Sequence, residues 1–160
     1  MAASISCNCP DVNDQDWHLQ DQNWDGKFFY FEYVRHFFNV PLGYDKQLRA
    51  MKRDMARKGF RLVNADMVLY QPGLFQGRLL MEINDPDQYD ANVERFDQAR
   101  LLSRVHQGSR SGLKDALQEL KAFTQDRAHL DPLIIYYWYT TCDKCAKIRG
   151  YEKTVLFARV

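Results

Sequence analysis

Leu133-Ile134-Ile135-Tyr136-Tyr137-Trp138-Tyr139-Thr140 is the clearest strand in the sequence, and its flanks decide what kind of sheet it joins. Branched and aromatic side chains suit a pleated, covered surface. Tyr136 and Trp138 fall on one face and Tyr137 and Tyr139 on the other, so at most one of these pairs can face a cleft. Upstream, Asp131-Pro132 ends a helix that carries Leu113, Ala116, Leu117, Leu120 and Phe123 on one side. Before that helix, Gln98 to His106 reads as a strand, broken at Gly108 to Gly112. Downstream, a loop holding Cys142 and Cys145 leads to a last strand, Thr154 to Val160. The second half of the chain is therefore expected to run strand, helix, strand, strand.

The first half predicts the same order. From Lys27 the run Lys-Phe-Phe-Tyr-Phe-Glu-Tyr-Val-Arg-His-Phe-Phe is dense in aromatic β-formers and reads as a strand covered on both faces, ended by Asn39 to Gly43 with its Pro41. Tyr44, Leu48, Met51 and Met55 then stack on one side of a helix that runs to about Lys58, with Gly59 as its stop. Phe60 to Gln71 reads as a second strand, Pro72-Gly73 as a turn and Gln76 to Ile83 as a third strand. Asn84 to Tyr89, rich in Asp and Pro, is the most linker-like stretch. Laying Val34-Arg35-His36 on Val105-His106-Gln107 aligns repeats 27–83 and 98–160. The expected fold class is α+β: a duplicated strand-helix-strand-strand unit with pseudo-two-fold symmetry, an antiparallel sheet and helices on one side. Residues 1–26, polar and without periodicity, read as a Cys-containing lead segment packed on the domain of residues 27–160.

Composition limits the function classes. The chain has 160 residues, 46% hydrophobic and 27% charged, close to the average for a globular domain. A net charge of +1 offers no global field to hold a polyphosphate backbone, so nucleic acid is not an expected partner. No run approaches the ~20 apolar residues of a membrane helix, and the first ten residues lack the pattern of a signal peptide. A cytoplasmic protein with a small-molecule ligand is expected, of unstated oligomeric state. Aromatic residues, at 14% of the chain, serve both cores and the walls of ligand pockets.

The strand end Arg104-Val105-His106-Gln107-Gly108, the helix after Ser111-Gly112, the Asp131-Pro132 break and the strand Ile135-Tyr136-Tyr137-Trp138 together resemble the GyrI-like superfamily of small-molecule-binding domains. Val34-Arg35-His36 followed by Gly43-Tyr44 is the weaker counterpart in the first half. The resemblance covers roughly residues 27–160. It implies an aromatic cleft between two halves, often with a carboxylate that meets cationic or polarised ligands, and some members hydrolyse small reactive electrophiles. The family's acidic residue commonly sits in the final strand, whereas Thr154 to Val160 contains none. The symmetry-related acid is Glu82, the expected catalytic residue, with Glu32 in the opening strand as the other candidate. A carboxylate among apolar neighbours suits a general acid or base, or a counter-ion for a desolvated cation; on a half-exposed strand either could equally be a solvent-side residue. Tyr30, Glu32, Tyr70 and Trp138 are the expected ligand-binding residues. No DNA-binding helix pair precedes the domain, so it is not expected to be a regulator itself.

The four cysteines form two close pairs, Cys7 with Cys9 and Cys142 with Cys145. If the chain ends meet, four thiolates make a tetrahedral set, and structural zinc is the leading reading. Such an ion would hold down a lead segment with few apolar anchors. A redox pair, a disulfide and unrelated thiols are the rival accounts, and His18 could replace one ligand. Besides a cleft-binding domain that hydrolyses its guest, the alternatives are a non-enzymatic zinc-stabilised interaction module and a thiol redox protein using Cys142 and Cys145. No serine-hydrolase elbow and no phosphate-binding glycine loop are present.

Overall fold

The computed structural model describes residues 9–37, 40–41 and 43–160. The elements run α1 (Asp14–Trp17), β1 (Gln20–Asn23), β2 (Phe28–Phe37), β3 (Val40–Pro41), α2 (Tyr44–Arg57), β4 (Leu69–Gln71), β5 (Gln76–Ile83), β6 (Val93–Arg95), β7 (Arg100–Gln107), α3 (Leu113–Ala128), β8 (Ile134–Tyr139), α4 (Asp143–Arg149) and β9 (Lys153–Arg159). The protein is α+β, with a curled antiparallel sheet in the order β1-β7-β9-β8-β4-β5-β2-β3, and β6 paired to β2. The two halves meet where β4 pairs with β8, through Tyr70 opposite Tyr137. No helix among the described residues is long and apolar enough to cross a membrane.

Strand alternation divides the core. One face carries Tyr30, Val34, Tyr70, Leu79 and Met81, covered by Met51 and Met55 of α2. Further along the same face, Leu102, Leu156 and Ala158 are covered by Ala116 and Leu120 of α3, and Tyr137 touches both groups. The opposite face curls around Phe29, Leu80, Phe96, Leu101, Val105, Tyr136, Val155 and Phe157, closed by Val12, Trp17 and Trp24 from the N-terminal segment. Helices α2 and α3 thus share one side, while α1, through Trp17, sits on the other.

Four local expectations are corrected. The N-terminal segment does contain a strand: β1 pairs with β7, and its Asp21 carboxylate accepts both an Nε and an Nη2 bond from Arg100, at 2.9 and 2.6 Å. A strand that pairs along one edge needs no apolar alternation, which is why its polar sequence concealed it. The strand expected over Phe60–Gln71 shrinks to Leu69–Gln71, because the side chain of Asn64 accepts from Asp66 N–H at 3.0 Å and bends the chain there. The strand expected from Gln98 starts at Arg100, since Gln98 takes φ 50°. The loop expected to hold Cys142 and Cys145 is instead helix α4, with Cys142 as N-cap and Gly150, at φ 78°, as the left-handed stop.

Candidate active site

A cavity of about 520 Å³ opens beside the β4–β8 seam on the helical side. Its walls come from four places: Tyr44, Asp45, Leu48 and Lys52 on α2; Ala65, Asp66 and Val68 before β4; Arg110 in the turn before α3; and Trp138 to Asp143 where β8 passes into α4, with Cys9 and Pro10 beside them. Local chemistry makes this mouth. After Tyr139 the ladder gives way to hydroxyls: Thr140 Oγ1 donates to Lys153 O at 2.9 Å, and Thr141 Oγ1 accepts from Lys153 N–H at 3.1 Å. That satisfies backbone polar groups while the two chains part.

The aromatic part is fixed from behind. Trp138 is 4% exposed, its Nε1 donates to Asp66 O at 3.0 Å, and Trp17 meets it edge-on at 5.6 Å. Tyr139 stacks on Tyr137 at 6.1 Å and carries the Arg110 guanidinium over its ring at 4.8 Å. Burial pushes both Tyr44 and Tyr139 up to about 12, so at neutral pH these hydroxyls are donors and not bases. Three carboxylates (Asp45, Asp66, Asp143) and two cations (Lys52, Arg110) complete the lining. This is an amphipathic pocket with a small excess of negative charge.

The thiols stand at one end of it. Cys9, Cys142 and Cys145 have their sulfurs within 4.8 Å of one another and can hold a metal ion. Cys142 N–H points at Cys9 Sγ at 3.4 Å. The N-terminal segment is tied there by Arg149 donating to Cys9 O at 2.6 Å and to Pro10 O at 3.3 Å, by Tyr151 donating to Asp11 at 3.0 Å, and by Lys153 donating to Val12 O at 3.0 Å. Cys7 lies outside the described residues. His18 is not part of the group, and its Nδ1 accepts from Val105 N–H at 3.3 Å.

Of the expected ligand and catalytic residues, Trp138 alone lines this cavity. Glu82 is ion-paired with Lys27 at 2.7 Å, on the far part of β5. Tyr70 is 2% exposed, its ring against Gly77, where a Cβ would come within 2.5 Å of Cε2. Tyr30 donates to Glu32 at 3.2 Å and accepts from Lys58 at 3.1 Å, and Lys58 pairs with Asp90 at 3.0 Å beside a separate, more polar hollow. Tyr44 and Tyr139 had been read from the sequence only as a helix face and a strand face. The lining charges give no signal, because they come from four separate segments: helix α2, the loop before β4, the turn before α3 and the start of α4.

A protein-family model described as bacterial hydrolase matches residues 1–160. The chain belongs to that family. No curated protein and no solved structure matches it. The seam cavity combines aromatic walls, carboxylates and potential metal ligands, whereas the hollow beside Lys58, of about 600 Å³, has no cysteine in its lining, so the seam cavity is the candidate active site.

Proposed function

We propose that the protein is a small-molecule hydrolase that takes an amphipathic, positively charged guest into the seam cavity, in the manner of GyrI-like domains. The observation that carries this reading is the cavity itself. Tyr44, Leu48 and Tyr139 give it apolar surface on the helical side, with Trp138 packed behind it, and three carboxylates outnumber two cations around it. The order of elements supports the kinship. Strand, helix, strand, strand occurs as β2-α2-β4-β5, with the short β3 interposed before α2, and again as β7-α3-β8-β9, with α4 interposed before β9, and the middle strands β4 and β8 adjoin in the sheet. On this reading the halves are copies of one unit, and the cavity lies where the copies diverge.

Zinc is the ion whose preference for thiolate suits Cys9, Cys142 and Cys145, with the lysines of α4 offsetting charge. It ties the N-terminal segment to the β8–β9 connection in the same place as the Arg149 and Lys153 bonds.

Calorimetric titration with tetraphenylphosphonium, a hydrophobic cation, tests the cavity. We expect saturable binding that Tyr139→Ala weakens at least fivefold, about 1 kcal/mol, since losing this ring removes apolar wall area from the cavity. Tyr89→Ser, at a position 94% exposed, should leave it unchanged. Absence of binding, or binding indifferent to Tyr139→Ala, would overturn the reading. A panel of cationic esters then identifies the bond that is cleaved.

A further inference from the structure

The face of the sheet turned away from α2 and α3 carries a second charged cluster. By strand alternation, Arg78 on β5, Glu94 on β6, Tyr136 on β8 and Arg159 on β9 share that face with Phe29, Leu80 and Phe157. Two guanidiniums converge there on one carboxylate: Arg78 Nη1 lies 2.9 Å from Glu94 Oε2, and Arg159 Nη1 lies 3.6 Å from Glu94 Oε1. Each guanidinium is supported from its own side. Arg78 donates from Nε and Nη2 to Gln71 Oε1 at 3.1 and 2.6 Å and lies over the Phe31 ring at 4.7 Å, and Arg159 lies over the Phe96 ring at 4.3 Å.

The carboxylate between them is poorly seated. Among the described residues, Glu94 Oε2 and the Tyr136 hydroxyl are buried side-chain atoms that no hydrogen bond reaches, and both belong to this cluster. Buried polar atoms are nearly always hydrogen-bonded, so two exceptions in one place call for a cause. Burial pushes the fully buried Tyr136 hydroxyl up, and the charges that act on it are those of Arg159, Glu94 and Arg78. Glu94 is tethered by its backbone opposite Phe29, and from there it meets Arg159 only at 3.6 Å. A carboxylate free of the chain can accept from both guanidiniums and from Tyr136 O–H together. We propose that Arg78, Arg159 and Tyr136 form a clamp for the carboxylate of a small ligand with an apolar body, and that Glu94 is the displaceable stand-in for that carboxylate. The side chains of Arg78, Glu94 and Arg159 are 19%, 27% and 15% exposed, so the cluster reaches solvent and Glu94 can turn outward. The ligand's body meets Tyr33 and Ile134, the direct cross-strand neighbours of Arg78 and Arg159, of which Tyr33 is 52% exposed.

Calorimetric titration of the full chain with benzoate tests the clamp, with benzamide as the uncharged match. Saturable benzoate binding is expected, about tenfold tighter than that of benzamide, because hydrogen bonds between charged groups exceed neutral ones. Tyr136→Phe removes a hydroxyl that makes no hydrogen bond in the folded protein, so urea unfolding should show no loss of stability, while benzoate affinity should fall about threefold. Arg159→Gln should weaken binding about tenfold, and Glu94→Gln should strengthen it, since an amide competes for the guanidiniums less than a carboxylate does. Absence of benzoate binding, equal affinity for benzoate and benzamide, or a Tyr136→Phe variant that binds benzoate as the wild type does would overturn the proposal. So would benzoate that tetraphenylphosphonium displaces or that Tyr139→Ala weakens, because its binding would then belong to the seam cavity. Loss of tetraphenylphosphonium binding with the benzoate results as expected removes the seam reading alone and supports the clamp.

Discussion

Helices α2 and α3 lie over the same face of one sheet, yet they cover it differently. Helix α3 sets Ala116, Leu120 and Thr124, all at most 2% exposed, against Leu102, Leu156 and Ala158. Alanines on both sides of this contact let helix and strands approach closely, and Thr124 removes its own polarity by donating to Leu120 O at 2.8 Å. Helix α2 buries only Met51 and Met55, in its second half, while Tyr44 and Leu48 in its first two turns stand beside the cavity. One helix closes its half of the sheet, and the other leaves a gap at the seam. The closer helix–sheet contact lies under α3, and room for a guest lies under the start of α2.

The largest effect that would break this contrast is on stability. Leu120→Ala should cost about 2–5 kcal/mol, because the void it leaves is walled by rigid neighbours. Leu48→Ala should cost about 1 kcal/mol or less, since that side chain already borders open space and loses few contacts. Urea unfolding of both variants measures the difference directly. Equal losses would mean that the first turns of α2 are as tightly packed as α3, and that the gap is not a feature of the folded state.

The same contrast shows which features could be read in the sequence. Both long helices and the strands β2, β5, β7, β8 and β9 follow from periodicity, because each has one or two faces buried on a repeating pattern. Helix α4 carried its signals in plain view, Asp143 in the first turn, Lys147 and Arg149 in the last and then Gly150, but at seven residues it has too few turns to show a stripe. Strand β1 is held by backbone pairing and the Asp21–Arg100 ion pair, neither of which leaves a hydrophobic pattern. The three described cysteines, Cys9, Cys142 and Cys145, come together as their spacing and the meeting of the chain ends predict. Glu82 is reached by analogy between strands, and Tyr30 by sharing a strand face with Glu32. The packing gives each a partner of its own, Lys27 and Lys58, away from the seam.

A smaller effect sharpens the description of the open side. Tyr44 and Tyr139 are raised to about 12 chiefly by burial, so the folded protein holds their protons more tightly than the unfolded chain does. The stability this represents is fully present below about pH 10, the ordinary tyrosine value, and is lost as pH rises toward 12. Ultraviolet titration of tyrosinate should show these two groups ionising late, near pH 12, and Tyr139→Phe should remove one of the late steps. If all tyrosines ionise together near pH 10, the wall around the cavity is wetter than the structure shows.

The smallest effect concerns the closed side. Asp21 on β1 accepts from Arg100 on β7 and lies 3.6 Å from Arg127 in the last turn of α3, so one carboxylate joins edge strand, neighbour and helix end. The Arg100 hydrogen bonds are the main cause holding the Asp21 carboxyl below its usual range, with Arg127 adding to them. A lowered carboxylate contributes stability above its unfolded value, about pH 3.9, and loses that contribution as pH falls through the folded value. Because the group is partly exposed, solvent screening limits the gain to about 0.2–1 kcal/mol. Asp21→Asn should therefore lower stability by that amount at pH 7 and by less at pH 2, measured by urea unfolding at both. The pair Lys58–Asp90 at the end of α2 is the counterpart, but Asp90 is lowered first by the Asn92 backbone N–H and only then by Lys58. Asp90→Asn should thus keep part of its local order through the loop's own hydrogen bond and depend less on salt than Asp21→Asn. A stronger salt dependence at Asp90 would reverse the ranking of the two helix ends.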